Sequence, residues 1–252
     1  RMPGFKGYIS DLGGPSANMY RMQGKDLTIC EKCKKPSCIF PKICFNLNTD
    51  HTPLLEIYHA VDALPGVKKS FIGSGIRYDL LLYRSNDEKA NDSAHSYLHE
   101  LITRHVSGRL KVAPEHTSEK TLQTMRKPSF ELFSQFKRIF DELNEREALN
   151  QQLIPYFISS HPGCTEEEMA ELAAITKNLN FKLEQVQDFT PSPMTLATEI
   201  YYTGYHPYTL QPVYTARTKE QKNGQRLFFF WHDPQNKHSI LRALKRMKRP
   251  DL

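Results

Sequence analysis

Residues 108–128 read GRLKVAPEHTSEKTLQTMRKP. Leu110 and Val112 alternate with polar neighbours and spell a buried strand. The strand runs into a polar loop carrying one carboxylate and one imidazole, Glu115 and His116. Thr117 or Ser118 then opens a helix that places Leu122 and Met125 on one face. A strand end that hands an acid and a base to the start of a helix is the rim where α/β proteins hold ligands, because βα loops and helix N-termini converge there.

Working outward, the same grammar recurs. GYIS (7–10) is a short strand ending in Asp11, Gly13 and Gly14, and adjacent glycines there allow close backbone approach to a ligand or simply a tight turn. Residues 16–50 are irregular, polar and cysteine-bearing, longer than an ordinary connection. Leu54, Leu55, Tyr58 and Val61 fall at helical spacing over Thr52–Ala63, behind an Asp50 or Thr52 cap. Lys69–Ile76 is the next strand and delivers Ser74, Arg77 and Asp79 at its far end. The polar stretch 86–96 reads as surface loop, and Tyr97–His105 as a helix. Phe130, Phe133, Phe136, Phe140 and Leu143 mark a strong helix over Phe130–Leu149. Gln152–Ser159 is a strand ending in Ser160 and His161. Thr165 with Glu167 and Glu168 caps a helix to Leu179, and Leu183–Asp188 is the last strand.

Single helices between nearly all strands imply parallel βα units, hence an α/β protein built as a barrel or a doubly wound sheet. The pattern stops at Thr195. Residues 195–252 are aromatic and polar, with one clear helix at His238–Met247, and read as an irregular appendage on the α/β body. The chain has 252 residues, 39% of them hydrophobic and 25% charged, which places it with globular rather than disordered proteins. No apolar run is long enough for a membrane span. RMPGFKGYIS lacks the layout of a signal peptide and reads like the middle of a longer protein. Five cysteines, an odd and clustered set, point to a reducing compartment such as the cytoplasm.

Two features carry chemistry. The first is the collection of strand ends: Asp11 with Gly13 and Gly14, Ser74 and Arg77, Glu115 and His116, Ser160 and His161, Asp188 with Thr190 and Ser192. Singly each suits a turn or a cap; together they favour a small-molecule site, with Arg77 suited to a carboxylate and Glu115 to a ribose diol or an amine. The second is C-x2-C-x4-C-x5-C, formed by Cys30, Cys33, Cys38 and Cys44, with His51 seven residues on. That spacing admits zinc, an iron–sulfur cluster, or loop thiols or a disulfide without metal. Net charge is +6, and Arg242–Pro250 holds five cations in nine residues, either a solvated helix face or a patch for RNA. There is no GxGxxG, Walker A, HExxH or GxSxG, so chemistry here needs a cofactor that the corners hold.

ISDLGGPSANMY (9–20), CKKPSCIFPKIC (33–44), GSGIRYDL (73–80), LKVAPEHTSEKTLQTMRKP (110–128), YFISSHPGCTEEEM (156–169) and VQDFTPSPMTLATEIYYTG (186–204), in that order, resemble the YgiQ-type family. That family is a branch of the radical S-adenosylmethionine superfamily. The resemblance implies a partial, TIM-like (β/α)6 barrel in which residues 1–194 form the later strands. Residues 21–51 would be a Cys-rich insertion and residues 195–252 a family-specific extension. It further implies a [4Fe–4S] cluster on a C-x3-C-x2-C motif, which this sequence lacks and which would lie in an upstream part of the same polypeptide. S-adenosylmethionine would be cleaved there to a 5′-deoxyadenosyl radical, and the chain alone would be inactive. By the same resemblance Gly13 and Gly14 fall at the methionine amino group, with Pro15 where many members have an acid. Ser74 and Arg77 fall at the carboxylate, Glu115 at the ribose, and the Ile158–Gly163 strand end with His161 at the adenine. Cys33, Cys38 and Cys44, completed by His51, would form a separate zinc or second iron–sulfur site. The competing reading is a metal-stapled, basic RNA-binding module without catalysis.

Overall fold

Parallel pairing organises the strands in the computed structural model, which describes residues 4–14 and 16–252. Pro15 therefore lies outside the described residues. The chain divides into two compact units, residues 1–113 with 131–154, and residues 114–130 with 155–252.

In the first unit, β1 (Tyr8–Ile9) runs parallel to β2 (Lys69–Ser70), with Tyr8 opposite Lys69 and Ile9 opposite Ser70. Beyond β2 the chain is held by single bonds, Leu12 N–H to the Phe71 carbonyl at 2.8 Å and Ile72 N–H to that of His105 at 2.9 Å. Ile76 then makes a parallel bridge to Val112 of β3 (Arg109–Glu115). The expected strand Lys69–Ile76 is thus a two-residue strand followed by a bridge, since Gly73 and Gly75 interrupt the ladder.

Five described α-helices and a π-helical turn complete this unit. α1 (Leu27–Glu31) lies inside the cysteine stretch, capped by Asp26. α2 (Thr52–Asp62) buries Leu54, Leu55 and Tyr58; its N-cap is His51, while Asp50 accepts from the Thr52 amide and hydroxyl. α3 (Tyr78–Leu82) is a short buried turn directly after Arg77. Residues 88–96, expected as loop, belong to α4 (Glu88–Glu100), which Asp87 caps through the Ala90 amide. Its inward stripe is Ala90, Ser93, Ala94, Tyr97 and Leu98, so small side chains hid the helical period. The same run ends in a π-helical turn at Leu101–His105. α5 (Glu119–Met125) precedes α6 (Phe130–Arg146), which buries Phe133, Phe136, Phe140 and Leu143. Burying each such ring contributes roughly 1.5–3 kcal/mol.

β4 (Gln152–Ser159) lies between β3 and β5 (Gln185–Asp188) in a three-stranded sheet. In the second unit β5 (Gln185–Asp188) runs parallel to β4, with Phe157 opposite Val186 and Ser159 opposite Asp188. Ser118 caps α5 (Glu119–Met125) through the Thr121 amide. Thr165 and Glu168 form a reciprocal capping box on α7 (Glu166–Asn178). Residues 195–252 are more helical than expected: α8 (Leu196–Thr203), α9 (Lys219–Arg226) and α10 (Lys237–Met247), with 3-10 turns at Leu227–Phe230 and Pro234–Asn236. Phe228, Phe229, Ala243 and Leu244 share one core with Phe157, Met169 and Leu172. Arg246 pairs with Glu166, and Arg249 with Glu167 and Glu171, which docks the basic tail on α7. No described helix is long and apolar enough to cross a membrane.

Candidate functional site

The corner after β1 is built on one carboxylate. Asp11 accepts the Gly13 amide at 2.8 Å, the Gly73 amide at 3.0 Å and the Ser74 hydroxyl at 2.9 Å. Partial burial pushes the Asp11 carboxyl up, but these donors together outweigh it and hold the group below the usual carboxylate range. Gly13 is required by space: a Cβ there would stand 2.7 Å from the Ser74 hydroxyl and 2.9 Å from its Cβ. Gly14 faces open space. Ser74 thus donates to Asp11 rather than standing free. Arg77 is also engaged, since its Nε and Nη2 clasp Asp79 at 2.8 and 2.5 Å in a half-buried pair. The buried Asn18 holds the Arg77 backbone from both sides, accepting its amide and donating to its carbonyl. Gly13, Ser74 and Arg77 are therefore brought together in one unit, with Arg77 committed to a neighbour.

The cysteine stretch is open. Cys30, Cys33 and Cys38 are exposed and Cys44 half-buried, all as free thiols. Cys33 Sγ accepts the Lys35 amide at 3.4 Å, a local turn contact to the amide two residues on. Among the described residues no three His, Cys, Asp or Glu side chains are gathered as a metal site. His51 instead sits 1% exposed at the start of α2 with its ring 5.0 Å from that of Tyr97. Desolvation pushes its pKa down to about 4; the Thr49 backbone opposes this weakly, yet neither ring nitrogen has a well-formed hydrogen bond. The set Cys33, Cys38, Cys44 and His51 is not assembled.

The second unit holds the stronger geometry. Glu115 closes β3 at φ +66 and is 8% exposed. Lys127 meets its Oε1 at 2.9 Å, while Oε2 is buried without a partner. Ser160, directly after β4, has φ +60, is fully buried, and its Oγ also lacks a partner. Left-handed backbone costs a residue with a Cβ about 1–2 kcal/mol, and each orphaned buried polar atom about 1–3 kcal/mol more. Two neighbouring strands end in this same unfavourable way. His161 donates Nδ1–H to the Pro162 carbonyl at 2.8 Å and lies edge-on to Phe189. Burial pushes its pKa down to about 4, leaving a neutral ring whose Nε2 is an acceptor.

Behind this rim lies a network not read from the sequence. Gln225 of α9 is fully buried and accepts the Ser160 amide at 2.7 Å, while donating to the Cys164 carbonyl at 2.7 Å. His116 accepts the Ser118 amide on Nδ1, so its Nε2–H points to Cys164 Sγ at 3.4 Å. Desolvation first, then His161, pushes His116 down to about 3, and burial pushes the Cys164 thiol up. This Cys–His pair is a neutral, enclosed brace, not a nucleophile. Asp188 accepts the Ser159 hydroxyl at 2.5 Å and pairs with Arg226 of α9. Gln225, the second of two glutamines in KEQKNGQR, has no pattern around it that announces its role.

Residues 184–252 match the family model described as Domain of unknown function (DUF3362). Over its whole length the chain is 67% identical to a UPF0313 protein of Bacteroides thetaiotaomicron, of which it covers 41%. It is 63% identical to a UPF0313 protein of Porphyromonas gingivalis and 42% to one of Methanocella arvoryzae, covering 40% of each. UPF0313 is the YgiQ-type family of the resemblance above. The chain spans about two-fifths of the length of the curated relatives it matches.

Proposed function

We propose that this chain is the later part of a radical S-adenosylmethionine barrel and supplies the cradle for that cofactor at its strand ends. The observation that carries the reading is the pair Glu115 and Ser160, both left-handed and both with a buried, unpartnered side-chain oxygen. Rotated out towards the rim, these oxygens suit the hydroxyls of a ribose, and the neutral Nε2 of His161 suits an N–H donor such as an adenine amino group. Glu115, Ser160 and His161, all of the second unit, would hold the nucleoside. Arg77 fits a carboxylate less well, because two of its N–H groups are committed to Asp79. With a reducing [4Fe–4S] cluster from an upstream segment, the bound cofactor supplies a 5′-deoxyadenosyl radical. This chain's own part is binding, orientation and exclusion of water.

The test is S-adenosylmethionine affinity in the full-length polypeptide. Glu115→Ala removes a hydrogen bond to a charged acceptor, and a roughly 10–100-fold weaker affinity is expected. Arg77→Ala should cost less. Unchanged affinity in Glu115→Ala removes the support for the reading. The RNA alternative draws on exposed Tyr202, Tyr205 and Tyr208, with Arg126 stacked over Tyr208. It draws less on the tail, where Arg246 and Arg249 already have acidic partners. RNA binding that weakens with salt and with Tyr208→Ala would favour it over the cradle.

A further inference from the structure

Residues 159–164, which close β4 and lead to α7, are all buried. A buried loop carries backbone groups that water cannot reach, so they need partners from the protein itself. Here the partners come from the segment after β5. Gln225 of α9 accepts the Ser160 amide and donates to the Cys164 carbonyl, both at 2.7 Å. The Cys164 thiol donates to the same Gln225 oxygen at 3.2 Å. The Tyr214 carbonyl accepts the Gly163 amide at 2.8 Å. The next residue of α9, Arg226, reaches Asp188 at 3.3 Å, and Asp188 in turn holds the Ser159 hydroxyl. Two successive residues of α9 thus grip Ser160 and Ser159, one directly and one through Asp188.

From this arrangement we infer that Gln225 is a positioning residue for the nucleoside of S-adenosylmethionine, because it sets the shape of the loop that carries Ser160 and His161. The inference rests on the proposed cradle and extends it into residues 184–252, the span of the domain of unknown function. A glutamine side chain offers an acceptor and a donor together without a charge, which is what an amide and a carbonyl of one loop require. Ser160 holds φ +60 although it has a Cβ, so the loop relaxes if its amide loses that acceptor. Such relaxation moves Ser160 and His161 together, since one peptide link joins them. A binding constellation works only when its supports hold it to within about 0.5 Å. Gln225 acts through the Ser160 backbone rather than by touching the ligand.

The experiment is equilibrium binding of S-adenosylmethionine, without reductant, to the full-length polypeptide, with the thermal midpoint read on the same samples. Gln225→Met keeps the length and removes both hydrogen-bonding groups, and affinity should fall roughly tenfold or more. Arg226→Met cuts the second grip at a partly exposed ion pair, and affinity should fall about two- to fivefold. Leu172→Ala loosens the same core but leaves the loop's bonds in place. It should lower the midpoint and keep the wild-type affinity. Wild-type affinity in Gln225→Met would overturn the proposal and leave the cradle standing. Equal loss of affinity in Leu172→Ala would also overturn it, because general loosening would then explain both variants. A wild-type protein that does not bind S-adenosylmethionine would remove the cradle and the proposal with it. If Gln225→Met does not fold, Arg226→Met decides, and wild-type affinity there overturns the proposal.

Discussion

Replacing Glu115 by glycine should make the protein locally more stable while removing the feature that its proposed function rests on. The residue sits at φ +66, where a glycine carries no steric penalty and other residues lose about 1–2 kcal/mol. Its Oε2 is buried and unpaired, adding about 1–3 kcal/mol of unrelieved desolvation. Against these stands the 2.9 Å pair with Lys127. Lys127 is 29% exposed and can rehydrate, so losing that pair costs only about 1 kcal/mol. Once glycine's extra chain entropy takes back about 0.5–1 kcal/mol, the balance favours Glu115→Gly by roughly 2 kcal/mol, a factor of about 30 in local opening. Hydrogen exchange read by mass spectrometry on peptides spanning 109–125 of the full-length protein measures this directly. Slower exchange with weakened S-adenosylmethionine binding is the expected pair of results. Faster exchange in the variant would refute the argument that strain at this position is held for a ligand.

Other expectations follow from the buried network. Gln225→Ala orphans the Ser160 amide and the Cys164 carbonyl, at a cost of roughly 3 kcal/mol from two unsatisfied groups; an unchanged thermal midpoint would contradict this. Cys30, Cys33 and Cys38 should alkylate rapidly and Cys164 only on unfolding, or faster in Gln225→Ala. Loop thiols that resist alkylation until a chelator is added would instead reveal a metal there. His116 and His161 are held neutral by burial, with pKa values down at about 3 and about 4. Unfolded imidazoles titrate near 6.5, so between pH 6.5 and about 4 the unfolded chain binds more protons. Stability is therefore lost as pH falls through that window, and a urea midpoint equal at pH 7 and pH 5 would count against it.

Much of the architecture is legible because its cues are local. The Thr165–Glu168 capping box and the phenylalanines of α6 announce their helices in a few residues. α4 escapes because alanine and serine, not leucine, form its buried stripe. The strand ends are readable as polar corners, but the left-handed backbone of Glu115 and Ser160 is not, since neither residue type calls for it. The Arg77–Asp79 clasp lies two residues apart and could have been anticipated, which would have tempered Arg77 as a free carboxylate clamp. His51 is the reverse case. Its place after the cysteines suggests a ligand, whereas helix α2 draws its ring against Tyr97. Gln225 depends on contacts with distant segments, which no sequence window contains.

The most direct measurement is anaerobic reconstitution of the full-length polypeptide with iron and sulfide, then reduction in the presence of S-adenosylmethionine and assay for 5′-deoxyadenosine. The account predicts that 5′-deoxyadenosine forms, and that at sub-saturating S-adenosylmethionine Glu115→Ala forms at least tenfold less with the cluster intact. A protein that carries a full cluster and forms none, or a Glu115→Ala variant that matches the wild type, would contradict it.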